Sequence, residues 1–178
     1  IAMKPILNSF EANNLLEEYN TARTIWMLRD YRDMVNSSII KFGNTASNYL
    51  KYFIIGNAEE NWISLGMQTE TKSFLSTLNY HDFLDHDWMA LIWWSVNRTV
   101  ILDKLNLNNR FTIAKYENFV LDPDNTLRNL YEHIGLKYKK KLSKYVHMKS
   151  VGKGVAIKFS PIIEEMCEDL TNKLSKMI

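Results

Sequence analysis

A single cysteine, Cys167, leaves this chain without any possible intramolecular disulfide. That favours a reducing compartment, and a cytoplasmic location is the expectation. No apolar run approaches ~18 residues, so the sequence contains no membrane-spanning helix. The opening residues, "IAMKPILNSF", lack the basic start and long apolar core of a signal peptide. Prolines and glycines are few, at three and six, and no repeat or low-complexity segment is present. There is no strong surplus of one charge. A formal net charge of +2 argues against a general nucleic-acid binder but leaves room for a local basic pocket. The four histidines, His81, His86, His133 and His147, show no metal-ligand spacing with one another or with Cys167.

What remains is the composition of an ordinary globular protein, 46% hydrophobic and 24% charged. Residues 1–178 are enough for one domain with a sizeable core. Ile1 is not a translational initiator, so the chain is expected to be the C-terminal portion of a longer protein.

Hydrophobic patterning divides the chain into short strands and long helices. "IAM" reads as the end of a buried strand closed by Lys4-Pro5, because proline cannot sit in a central ladder. Ser9 is placed to cap a helix over "FEANNLLEEY". "TIWML" (24–28) is short, apolar and β-branched, and "RFTIAKYE" (110–117) is similar. Between them, Tyr31, Val35, Ile39 and Phe42 share one helical face, with Asp30, Asp33, Ser37 and Lys41 on another. Gly43 ends that helix. "DHDWMALIWWSVNRTVILDKL" predicts a long buried helix, and Trp93 and Trp94 belong to its core. Asp122-Pro123 and Ser160-Pro161 are helix starts, and Cys167 is expected to be a packed thiol. Asn36-Ser-Ser and Asn97-Arg-Thr match a glycosylation pattern, but both fall in helical segments. Strands separated by long helices imply parallel pairing. The expected fold is α/β, three-layered, with a short parallel sheet and many flanking helices. So few visible strands suggest that an N-terminal strand, loop and helix are missing.

In open parallel sheets, ligands bind beyond the carboxyl ends of the strands. Arg29 stands at that end of "TIWML". The helix after it offers N-terminal amides and a positive dipole end, a favourable place for phosphate. Arginine suits phosphate because its planar fork donates two hydrogen bonds. Ser37 lies about two turns into the helix, roughly 10 Å along its axis, within reach of a folded-back arginine. On local pattern alone, Arg29 could instead pair with Asp30 or Asp33.

"WMLRDYRDMVNSSIIKFG" resembles the 3′-phosphate-binding segment of the sulfotransferases. That family places an arginine at a strand end, an aspartate four residues on and a serine eight residues on, here Arg29, Asp33 and Ser37. "KYENFVLDPDNTLRNLYEHIGL" (115–136) is similar to the family's later segment, and "DWMALIWWSVNR" fits the helix between the two. The resemblance runs from about Lys4 to about Gly135. It implies a P-loop-type fold and a donor, 3′-phosphoadenosine 5′-phosphosulfate (PAPS), leaving 3′-phosphoadenosine 5′-phosphate (PAP) as product.

The resemblance carries Arg29 and Ser37 over as ligands of the 3′-phosphate, and Tyr116 as a residue near the adenine. "KSVGKG" occupies the place of the family's C-terminal basic loop, which makes Lys149, Ser150, Lys153 and Gly154 candidates. Lys4, in "MKPI", sits near the spacing of the family's catalytic stretch. It could stabilise the sulfuryl oxygens, or act as base if its pKa were strongly lowered. The family's 5′-phosphosulfate loop, "PKSGTTW"-like, has no counterpart ahead of Arg29 and is expected to precede Ile1. The implied partners are a nucleotide donor and an acceptor hydroxyl or amine, bound by residues 55 to 90. Two other readings are a kinase-like phosphotransferase, which would need a Walker-type loop and a carboxylate for magnesium, and a non-catalytic module on the same scaffold.

Overall fold

Two parallel strands, β1 (Thr24–Leu28) and β2 (Phe111–Lys115), lie side by side with Leu28 opposite Lys115. A computed structural model of the protein describes residues 9–56, 59–147, 151–154 and 156–178. The expected "IAM" strand and three candidate residues, Lys4, Lys149 and Ser150, fall outside the described residues. Among those described, the sheet has these two strands. The architecture is α/β, with a short parallel sheet and helices around it, as expected.

The chain enters through a 3-10 turn, Ser9–Glu11, and α1 (Ala12–Glu18). Ser9 is therefore not the cap: Glu11 precedes α1, and its side chain makes no capping bond. After β1 come α2 (Tyr31–Phe42), α3 (Thr45–Ile54), α4 (Trp62–Leu65) and α5 (Thr69–Ser76). The long α6 (Asp85–Leu102) returns the chain to β2. Beyond it lie α7 (Tyr116–Leu121), α8 (Pro123–His133) and, after a 3-10 stretch at Lys140–Tyr145, α9 (Pro161–Ser175). Gly43 follows α2 at φ +63°, a conformation that favours glycine.

The centre of the molecule is α6, which packs on α2, α3 and α9. It buries Trp88, Met89, Ala90, Leu91, Trp93, Trp94 and Val100, which explains why its sequence is apolar on several faces. α2 presents Tyr31 and Val35 to that core, both almost fully buried, and Ile39 packs against it. Phe42, expected on the same face, is 62% exposed, because it lies in the last turn before Gly43.

Polar contacts fix the strand against this helix. Trp26 Nε1 donates to Asn97 Oδ1 at 2.9 Å, and Asn97 Nδ2 donates to the Trp93 carbonyl at 2.8 Å. Asn97 is buried and committed, so its glycosylation pattern is a chance match in this fold. Asn97→Ala leaves the Trp26 indole N–H without its acceptor. A buried unpaired donor costs roughly 1–3 kcal/mol, and urea unfolding of the variant should show a loss in that range.

Cys167 is fully buried with its sulfur 3.9 Å from the Ala90 carbonyl, and burial pushes the thiol's pKa up. It is a packed residue, as expected.

Candidate functional site

Arg29 and Tyr116 are each the first residue beyond a strand. Because β1 and β2 are parallel and in register, both emerge at the same carboxyl edge of the sheet. There the Arg29 guanidinium carbon lies 4.9 Å from the centre of the Tyr116 ring. Two further bonds set the geometry. Trp93 Nε1, from α6, donates to the Arg29 carbonyl at 2.9 Å. The Asp30 amide donates to Glu117 Oε1, in the first turn of α7, at 2.9 Å. The exits of both strands are thus tied to each other and to the central helix.

Asp30 caps α2. Its Oδ1 accepts the Arg32 amide at 2.8 Å and the Asp33 amide at 3.2 Å. This corrects one expectation: amides foreseen as open to an anion are already bonded, and a carboxylate stands beside them. Any anion recognition at this edge therefore rests on side chains more than on the helix end.

Asp33 shares a helical face with Asp30, Ser37 and Lys41, as periodicity predicts, but that face is covered at this point. Asp33 is only 3% exposed. Its Oδ2 accepts the Gly152 amide at 2.6 Å and its Oδ1 accepts the Gly154 amide at 2.7 Å. Gly154 is buried against α2, where an added Cβ would sit 2.1 Å from the Arg32 carbonyl carbon and oxygen. Only glycine permits so close a backbone approach. Lys153, between the two bonded amides, is exposed. Ser37 is half-buried, one turn beyond Asp33 on the same side of α2.

Arg32 turns the other way. Its Nη2 lies 2.8 Å from Glu164 and from Glu168 of α9, and its guanidinium covers the Tyr31 ring at 4.3 Å. Asp87, wholly buried in the first turn of α6, accepts the Leu84 amide at 2.9 Å. It also accepts the Ser160 amide at 3.0 Å and the Ser160 hydroxyl at 2.6 Å. His86 Nε2 lies 2.7 Å from the Lys158 carbonyl, and its ring meets Phe159 edge-on. Gly152 and Gly154 are therefore held by α2, and Lys158 and Ser160 by the start of α6.

The structure brings Arg29 onto the Tyr116 ring, and separately sets the backbone on either side of Lys153 against Asp33 of α2, with Ser37 one turn further along that helix. Among the described residues no group of acidic, histidine or cysteine side chains could hold a metal ion. Within residues 55 to 90, Leu78, Tyr80, His81, Phe83 and Trp88 line an open cavity of about 540 Å³.

A model of the sulfotransferase family matches residues 2–140. The chain belongs to the sulfotransferase family. No curated protein and no solved structure matches it. Family membership supports a transferase of the sulfotransferase type. The match takes in Arg29, Ser37 and Tyr116 but stops short of Lys153, Gly154 and α9. Sequence reasoning missed the partners of Asp33. The available signals were the spacing of Asp33 between Arg29 and Ser37, and two glycines flanking Lys153. No helix among the described residues is long and apolar enough to cross a membrane.

Proposed function

We propose that this chain carries the nucleotide site of a PAPS-dependent sulfotransferase, which transfers a sulfuryl group to an acceptor hydroxyl or amine. The observation that carries the proposal is the joint emergence of Arg29 and Tyr116 at one carboxyl edge, with the guanidinium over the ring. A 3′-phosphate needs a cation and a hydroxyl donor, and Arg29 and Ser37 are of those types. A purine needs an apolar flat surface, which Tyr116 offers. The residues present fit the phosphoadenosine end of the donor.

In this reading Arg29 and Ser37 bind the 3′-phosphate, Tyr116 borders the adenine, and Lys149, Ser150, Lys153 and Gly154 are the candidates that the basic loop adds. The donor, when bound, supplies the sulfuryl group: its bond to the phosphate oxygen breaks as one to the acceptor forms, and the acceptor's proton leaves to a base. Lys4 is the candidate for neutralising the sulfuryl oxygens, where charge develops.

Nucleotide discrimination tests the assignment. PAP should bind at least roughly tenfold more tightly than adenosine 5′-phosphate, since one charge-assisted hydrogen bond contributes about 1.5–3 kcal/mol. Calorimetric titration of both nucleotides reads this directly. Equal affinities would remove the 3′-phosphate assignment. Magnesium-dependent competition by ATP would point to phosphate transfer instead.

A further inference from the structure

Carboxylates stand close to Arg29 in the chain and at the neighbouring strand exit. Asp30, Asp33 and Glu117 all lie at the start of α2 or α7. Arg32, the nearest second cation in sequence, is engaged by Glu164 and Glu168 of α9. A phosphate, with nearly two negative charges at neutral pH, would face these carboxylates with Arg29 on its side. Lys153 is the described cation whose backbone neighbours are bonded to α2. It comes from a segment more than a hundred residues away. Both oxygens of a buried carboxylate hold the amides on either side of it, and Gly154 lets the backbone close onto the Arg32 carbonyl.

We propose that Asp33 is a positioning residue that acts through Lys153. By clamping Gly152 and Gly154, it sets Lys153 beside the α2 turn that bears Ser37, as the second cation for the nucleotide's phosphate. The inference rests on the PAP-site reading above. It assigns to α2 two separate tasks: Ser37 touches the ligand, and Asp33 holds the loop that does.

Four variants of the full chain decide the question by PAP titration at two ionic strengths, with thermal unfolding alongside: Asp33→Asn, Lys153→Met, the double variant and Arg29→Ala. Asp33→Asn and Lys153→Met should each weaken PAP binding by roughly tenfold, the size of one charge-assisted bond. The double variant should be no weaker than the worse single one, because both remove the same contact. Each single variant should also make the affinity less sensitive to salt, which a merely structural loss would not do. Additive losses, or wild-type affinity in Asp33→Asn, would overturn the role of Asp33 while leaving the site reading intact. Wild-type affinity in Arg29→Ala would overturn the site reading and the role of Lys153 with it. Lys153→Met changes an exposed side chain and should fold whatever Asp33→Asn does. Wild-type affinity in that variant alone overturns the proposal.

Discussion

Arg29→Ala is expected to weaken PAP binding by roughly 10- to 150-fold, the equivalent of about 1.5–3 kcal/mol for charge-assisted hydrogen bonding. The fold should survive the change. The Arg29 backbone is held by Trp93 Nε1 on its carbonyl and by the ladder that ends at Leu28, and neither uses the side chain. The guanidinium's contact with the Tyr116 ring contributes roughly 0.5–1 kcal/mol, and a melt of the variant reads the whole change in stability apart from binding. Arg29→Lys separates charge from shape. Lysine keeps the charge but not the planar two-donor fork, so its affinity should lie between wild type and alanine. Calorimetric titration of PAP, with a melt of each variant, checks both statements. An alanine variant that binds PAP like the wild type would show that the phosphate is held elsewhere.

Those parts of the fold that depend on local pattern are legible in the amino-acid sequence. "TIWML" forms β1 residue for residue, and "RFTIAKYE" contains β2, though its last two residues already begin α7. The starts at Asp122-Pro123 and Ser160-Pro161 and the stop at Gly43 also hold, because caps and breakers act within a few residues. Asp122 accepts the Asn125 amide, as a cap should. Ser9 fails as a cap for a tertiary reason: Phe10 packs against the core, and the chain tightens into a 3-10 turn before α1 begins. The site divides in the same way. Pattern alone places Arg29 and Tyr116 at strand ends. Their meeting depends on a register that only the folded sheet sets. Asp33 is the hardest residue to read. Helical periodicity puts it with Asp30, Ser37 and Lys41 on one face, and its spacing between Arg29 and Ser37 marks it without showing that residues 152–154 cover that face. A buried carboxylate whose partners are backbone amides leaves no complementary side chain in the sequence to find.

The largest loss of stability is expected from Asp87→Ala. The carboxylate is wholly buried and holds the Leu84 amide, the Ser160 amide and the Ser160 hydroxyl. Alanine strands all three donors, and each buried one left unpaired costs about 1–3 kcal/mol. Ser160 is half-buried, so water recovers part of that, and a net loss of roughly 3–5 kcal/mol is expected. The aspartate also sits in the first turn of α6, where the helix dipole favours negative charge. By contrast, the ion pairs of Arg32 with Glu164 and Glu168 involve half-exposed carboxylates, and such pairs contribute ~0–1 kcal/mol. The attachment of α9 thus depends more on Asp87 than on those charges. Asp87→Asn keeps an oxygen acceptor and should lose less. Urea unfolding reads the order: wild type, then Asn, then Ala. Equal midpoints for Ala and wild type would show that the three bonds contribute nothing net. Proteolysis should show a second effect. Asp87 holds the far end of the segment whose near end Asp33 holds, so Asp87→Ala should expose residues 156–160 to cleavage while α6 stays protected. Conditions that keep the Ala variant folded should still show weaker PAP binding, because a loop held by Asp33 alone must bear the conformational entropy that two anchors now suppress.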